Sequence, residues 1–151
     1  MSTSRRRLRK QKNFSLKRWK PHNYQQECVA KGLVNPQLAF FLDPGLGKTT
    51  ITLQLFKILK LAGDVRGLLV VAPLRPCYMV WPKEAKKWYN FRGLSVGVLH
   101  GPKKDAIYAE GHDINVINPE GLPWLLSKLK GKRKVAWPFD MLVVDESTKF
   151  K

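Results

Sequence analysis

The chain has 151 residues, 44% hydrophobic and 26% charged, which suits one globular domain with a substantial core and excludes a wholly disordered chain. Its 28 Lys and Arg against 11 Asp and Glu give a net charge of +17, a field that concentrates polyanions. No apolar run reaches the length of a membrane span, and no apolar core follows the basic N-terminus, which excludes a secretory signal.

Residues 1–18 form a basic arm that includes Arg5, Arg6 and Arg7. Through residue 20 there are nine basic residues and no acidic one, leaving 19 basic against 11 acidic residues in the remainder. The arm has too few apolar residues to order itself alone, and is expected to be flexible and to touch phosphates. Cys28 and Cys77 lie far apart without Cys-x-x-Cys spacing, and His22, His100 and His112 are scattered. Neither a disulfide framework nor a metal cluster is expected.

From Asn35 onward short apolar runs alternate with helical stretches. The runs are Leu38–Leu42, Leu68–Ala72, Leu94–Leu99, Ile114–Ile117 and Met141–Val144, expected as strands buried on both faces. Helices are predicted over Thr50–Leu61, over Pro76–Tyr89 with its start at Pro82, over Lys103–Glu110 and over Gly121–Leu129. Alternation of this kind implies a parallel α/β sheet flanked by helices.

Between the first run and the first of these helices lies Asp43-Pro44-Gly45-Leu46-Gly47-Lys48-Thr49-Thr50. Strand, glycine-rich loop and helix in that order are what a phosphate-binding loop requires. Gly45 and Gly47 let backbone amides turn inward around an anion, and Pro44, Leu46 and Thr50 complete the cradle. Lys48 supplies a charge for the β- and γ-phosphates, the Thr49 hydroxyl can ligate magnesium, and the helix N-terminus adds partial positive charge. The strict pattern would place glycine at 42, where this chain has Leu42. Met141–Val144 runs into Asp145 and Glu146. Asp145 at a strand tip can hold magnesium, and Glu146 is placed to polarise an attacking water, which favours ATP hydrolysis over phosphoryl transfer by a small kinase.

The order of these motifs resembles the superfamily-two helicases and translocases, and within them the SWI/SNF-like ATPases of the compact phage type. Leu42–Thr50 resembles motif I, in which that family commonly lacks the first glycine, and Asp145-Glu146-Ser147 resembles its DExx box. Lys20–Gln25 resembles the adenine-recognition segment, which implies that Gln25, or Gln26 in a slipped register, bonds the adenine edge with Trp19 or Tyr24 near the ring. Val70–Arg75 with Trp81–Trp88 is similar to motif Ia, making Arg75 a phosphate contact. Leu99-His100-Gly101 resembles motif Ib, and Ile117–Leu122 resembles the segment after it. Lys86, Lys87, Lys103 and Lys104 would add basic surface.

The resemblance implies a RecA-like fold over residues 19–151, a partial N-terminal lobe incomplete after the DExx strand. It also implies ATP and Mg2+ as cofactors, nucleic acid (DNA before RNA) as partner, no membrane, and a cytoplasmic place, the host's if the chain is viral. In this class the next strand lies between the DExx strand and the P-loop strand. Hydrolysis coupled to movement is expected only with a second lobe, in cis or in trans, that supplies an arginine finger. A second expectation of another class is a non-catalytic nucleic-acid-binding module, or a split-protein subunit, with a vestigial nucleotide site.

Overall fold

The computed structural model describes residues 16–38, 46–130 and 138–145. Its elements in chain order begin with α1 (Asn23–Val34), α2 (Lys48–Leu61), β1 (Leu68–Val71), α3 (Leu74–Met79) and α4 (Trp81–Lys87). A 3-10 turn (Tyr89–Phe91), β2 (Val96–Val98), α5 (Lys104–Glu110) and β3 (Ile114–Ile117) follow. A second 3-10 turn (Pro119–Gly121), α6 (Leu122–Lys130) and β4 (Met141–Val144) complete the described chain.

The strands form one parallel sheet in the order β2-β3-β1-β4. β1 is central and all four of its residues are buried. Side chains alternate across a strand, so Leu68 and Val70 enter one core and Leu69 and Val71 another. The first core takes Leu53 and Phe56 of α2, Trp81 and Ala85 of α4, and Trp19 and Phe91. The second takes Leu125 of α6, with Ile107 and Tyr108 of α5 packed against it. Helices on both faces of a parallel sheet are the α/β arrangement that the alternation of runs implies.

Three expectations change. The stretch predicted as one helix beginning at Pro82 is two helices broken at Val80 (φ −109°, ψ −64°). Pro82 has no N–H to continue the earlier helix and sits in the first turn of the next, where none is needed. Pro76 likewise occupies the first turn of α3, and Tyr89 falls in the 3-10 turn.

β4 is not buried on both faces. Met141 and Val143 pack on the first core, whereas Leu142 is 60% and Val144 45% exposed. Among the described residues β4 pairs with β1 alone, so it is an edge. The third change is α1, which covers the segment read from sequence only as an adenine-recognition stretch. Of the run Leu38–Leu42, Leu38 lies in no strand and the rest falls outside the described residues, as do Arg5, Arg6, Arg7, Pro44, Gly45 and Glu146.

Ion pairs fasten the amino-terminal edge of the sheet. Lys60 at the end of α2 meets Asp113 at 3.0 Å, and Asp113 accepts from the backbone N–H and hydroxyl of Ser95 before β2. Burial works against the Asp113 carboxylate, but these donors outweigh it and hold its pKa below the usual range. Arg66 and Asp140 tie the entries of β1 and β4 at 3.0 Å.

Candidate phosphate-loop site

α2 begins at Lys48, with Gly47 before it in the left-handed region (φ 79°). The first turn has no side-chain cap, and Ile51 N–H is the amide that closes on Gly47 O. The amides of Lys48, Thr49 and Thr50 therefore precede the first helical bond and point along the axis as anion donors. Lys48 is exposed and Thr49 half-buried, and neither side chain has a hydrogen-bonding partner among the described residues. The Thr50 hydroxyl is committed to Gly47 O at 2.7 Å, so Thr50 offers the loop only its backbone.

Gln25 is 5% exposed and holds this turn to α1. Its Oε1 accepts from His22 N–H at 2.9 Å and its Nε2 donates to Leu46 O at 3.2 Å. Tyr24 donates its hydroxyl to the same carbonyl at 3.0 Å, and the His22 and Tyr24 rings stack at 5.8 Å. A Cβ on Gly47 would lie 2.6 Å from Gln25 Nε2 and 2.9 Å from Thr50 Oγ1. The resemblance assigns Gln25 to an adenine edge; what the structure shows is Gln25 bracing the turn that leads into α2. Gln26 is exposed and turns back to Pro21 O, and Trp19 is a core residue beside Phe91 rather than a ring neighbour of the loop.

Asp145 leaves β4 at the carboxyl edge of the sheet, where its N–H donates to Val71 O at 2.8 Å. Its Oδ2 accepts from Trp81 Nε1 at 3.2 Å, leaving Oδ1 open among the described residues. Trp81 is a neighbour of Asp145 that sequence reasoning did not pair with it; the signal available was that a buried indole N–H needs an acceptor. Beneath it the Cys77 thiol donates to Ala72 O at 3.3 Å. Burial, with the nearby Asp145 charge adding to it, pushes this thiol up to about 11, so it stays protonated and inert.

Lys60 in the last turn of α2 meets Asp113 and Arg66 O, at the entries of β3 and β1, so the helix ends at the amino edge of the sheet and its first turn points away from that edge. No hydrogen bond or ion pair joins Asp145 to Lys48 or Thr49 among the described residues. Arg75 is exposed on α3, just past the carboxyl end of β1. Lys103 is exposed ahead of α5, whereas Lys104 lies 4.9 Å over the Trp124 ring.

The sequence matches the SNF2-related domain over residues 24–151. The chain belongs to the SNF2-related domain family. Protein p41 of Acyrthosiphon pisum secondary endosymbiont phage 1 is 32% identical over 140 residues, covering 90% of this chain and 30% of p41. The Sulfolobus solfataricus SWI2/SNF2 ATPase core, solved in complex with dsDNA, superposes with a TM-score of 0.67 at 24% identity, over 89% of this chain and 27% of that one. The UvsW helicase of bacteriophage T4 gives 0.64 at 21%, over 86% and 44%. The SNF2-related chain thus spans under half the length of each of these relatives. The RecA-like sheet, the order of motifs and the compact phage-type resemblance agree with this membership. No described helix is long and apolar enough to cross a membrane.

Proposed function

We propose that this chain is the first ATP-binding lobe of a DNA-dependent ATPase of helicase or translocase type. The observation that carries the reading is the uncapped first turn of α2, with Gly47 left-handed and the Lys48 side chain without a partner among the described residues. The donor set suits Mg-ATP. Three backbone amides, the Lys48 ammonium and the helix N-terminus face the phosphates, while the Thr49 hydroxyl and the open Asp145 oxygen suit a hard cation. Bound Mg2+ would neutralise charge on the β- and γ-phosphates.

Within this chain Lys48 holds the phosphates and Trp81 orients the Asp145 carboxylate. Gln25 keeps one N–H and one lone pair beyond its two internal bonds, enough to read an adenine edge while bracing the loop. Glu146 follows Asp145 in sequence and takes the role of water activation. Arg75, with Lys103, takes nucleic-acid phosphates on the carboxyl edge. A second RecA-like lobe, in cis or in trans, completes the site, in keeping with the 27% share of the SWI2/SNF2 core that the chain spans. The polypeptide acts in the cytoplasm, where ATP and nucleic acid meet.

The test is hydrolysis of Mg-ATP with and without duplex DNA, for the chain alone and with a second lobe supplied. DNA should raise turnover in the completed protein and Lys48→Ala should abolish the rise. DNA affinity that is salt-sensitive yet indifferent to ATP and to Lys48→Ala would instead establish a non-catalytic binding module.

A further inference from the structure

A basic and aromatic corner lies away from the phosphate loop. Residues 17–19 are strapped to the 3-10 turn: Lys17 bridges Trp88 in parallel, and Lys17 O accepts from Tyr89 N–H at 3.0 Å. Trp19 N–H donates to Asn90 Oδ1 at 2.8 Å, and Asn90 Nδ2 returns a bond to Trp19 O at 3.4 Å. Lys57 of α2 closes the clamp on Asn90 O. Lys57 is nine residues beyond Lys48, about 14 Å along the helix.

On this strap two guanidinium groups face one ring. Arg18 lies 5.3 Å and Arg92 4.2 Å from the centre of Tyr89, which is 38% exposed. Both arginines are exposed, and neither meets a carboxylate among the described residues. Their separation is at most 9.5 Å, the sum of those two distances, close to the Debye length of about 8 Å at physiological salt. Two like charges are thus held near one ring by their guanidinium groups, with no carboxylate partner among the described residues, and their N–H edges suit an anion. Lys87 stands 4.6 Å over the neighbouring Trp88, and its one acidic neighbour, Glu84, is 3.5 Å away.

In sequence, Lys12, Lys10, Arg9, Arg7, Arg6 and Arg5 precede Arg18, with no acidic residue before Glu27. A run of that length suits an extended polyanion better than a single phosphate. An anionic lipid surface is the alternative that the vesicle measurement below separates.

We propose that Arg18, Tyr89 and Arg92 form a second nucleic-acid backbone contact, distinct from the Arg75 contact. It rests on the reading of the chain as a nucleic-acid-dependent lobe, and it adds a surface on which a duplex, or a second stretch of one, is held away from the nucleotide site.

The test measures binding of the full 151-residue chain to a 20-base-pair duplex by fluorescence anisotropy between 50 and 300 mM salt. Arg18→Gln/Arg92→Gln should weaken binding and flatten the plot of log affinity against log salt by about 2, at about 0.9 per phosphate lost. The same variant should leave Mg-ATP affinity unchanged, and Arg75→Ala should flatten the slope by about 1, additively. On the wild type, duplex should also protect Arg18 and Arg92 from phenylglyoxal, a readout that needs no variant to fold. An unchanged slope with both arginines unprotected would overturn the second contact while leaving the proposed function standing. Absence of duplex binding by the wild type would overturn the parent reading itself. Binding to vesicles of 30% phosphatidylserine, lost in the double variant while DNA binding persists, would assign the corner to a membrane instead.

Discussion

Gly47→Ala puts a methyl group where the structure has no room and where the backbone disfavours one. Left-handed φ costs a residue with a Cβ about 1–2 kcal/mol. The new Cβ would also lie 2.6 Å from Gln25 Nε2 and 2.9 Å from Thr50 Oγ1. A glutamine tip usually swings aside at little cost, but this one is buried and bonded at both ends, to His22 N–H and Leu46 O. Moving it forfeits a hydrogen bond worth about 1 kcal/mol. The total is about 2–3 kcal/mol, or a fall in Tm of roughly 4–12 °C for a chain of this size at about 2–4 °C per kcal/mol. Gly63→Ala supplies the comparison, because Gly63 shares the left-handed conformation (φ 82°) with nothing within 4 Å of its Cβ position. Thermal unfolding followed by circular dichroism should show Gly47→Ala losing a few degrees more than Gly63→Ala, with weakened Mg-ATP binding in Gly47→Ala alone. Equal losses would refute the argument that Gln25 braces the loop.

Gln25→Ala should reproduce the loop defect without the backbone cost, lowering Mg-ATP affinity several-fold while Tm falls by the equivalent of about 1–2 kcal/mol; calorimetric titration checks it. Trp81→Phe keeps the ring in the core but removes the donor to Asp145 Oδ2; Mg2+ dependence of nucleotide binding should shift to higher concentration with Tm lowered only modestly. Asp113 has a depressed folded pKa, so its stabilisation is present above the unfolded carboxylate value of about 4 and is lost as pH falls through the folded value. The Tm gap between wild type and Asp113→Asn should therefore be full at pH 7 and close progressively below about pH 4, and a gap independent of pH would contradict the Lys60 and Ser95 contacts.

How far the sequence discloses this structure depends on whether the information is local. Ile114–Ile117 and Met141–Val144 are strands over those residues because a short, nearly all apolar run between turn signals has few other uses, even with Asn115 inside the first. An open edge beside the DExx strand was legible from the resemblance, which places the next strand there; that Leu142 and Val144 form the exposed face was not, because the run does not say which of its faces is covered. α1 escaped notice because it buries only Gln25 and Val29, which leaves a weak apolar stripe to read. Pro82 announced a helix start, but not that another short helix ends just before it. At the site, Gly47, Lys48 and Thr49 are adjacent in sequence, so a glycine turn opening a helix was legible there, and α2 does begin at Lys48 after left-handed Gly47. The contact between Trp81 and Asp145 spans 64 residues, and nothing local in either residue names the other. Gln25 was singled out by the resemblance as an adenine contact, whereas its bond to Leu46 O depends on α1 lying beside α2.

The account rests on the first turn of α2 as a phosphate site, and titration of Mg-ATP into the full chain tests that most directly. Wild type should bind saturably with one site, and Lys48→Ala should weaken the affinity by at least about tenfold, the equivalent of about 1.4 kcal/mol, with Tm unchanged. Equal affinity in wild type and Lys48→Ala, or no saturable binding in a folded wild type, would contradict it.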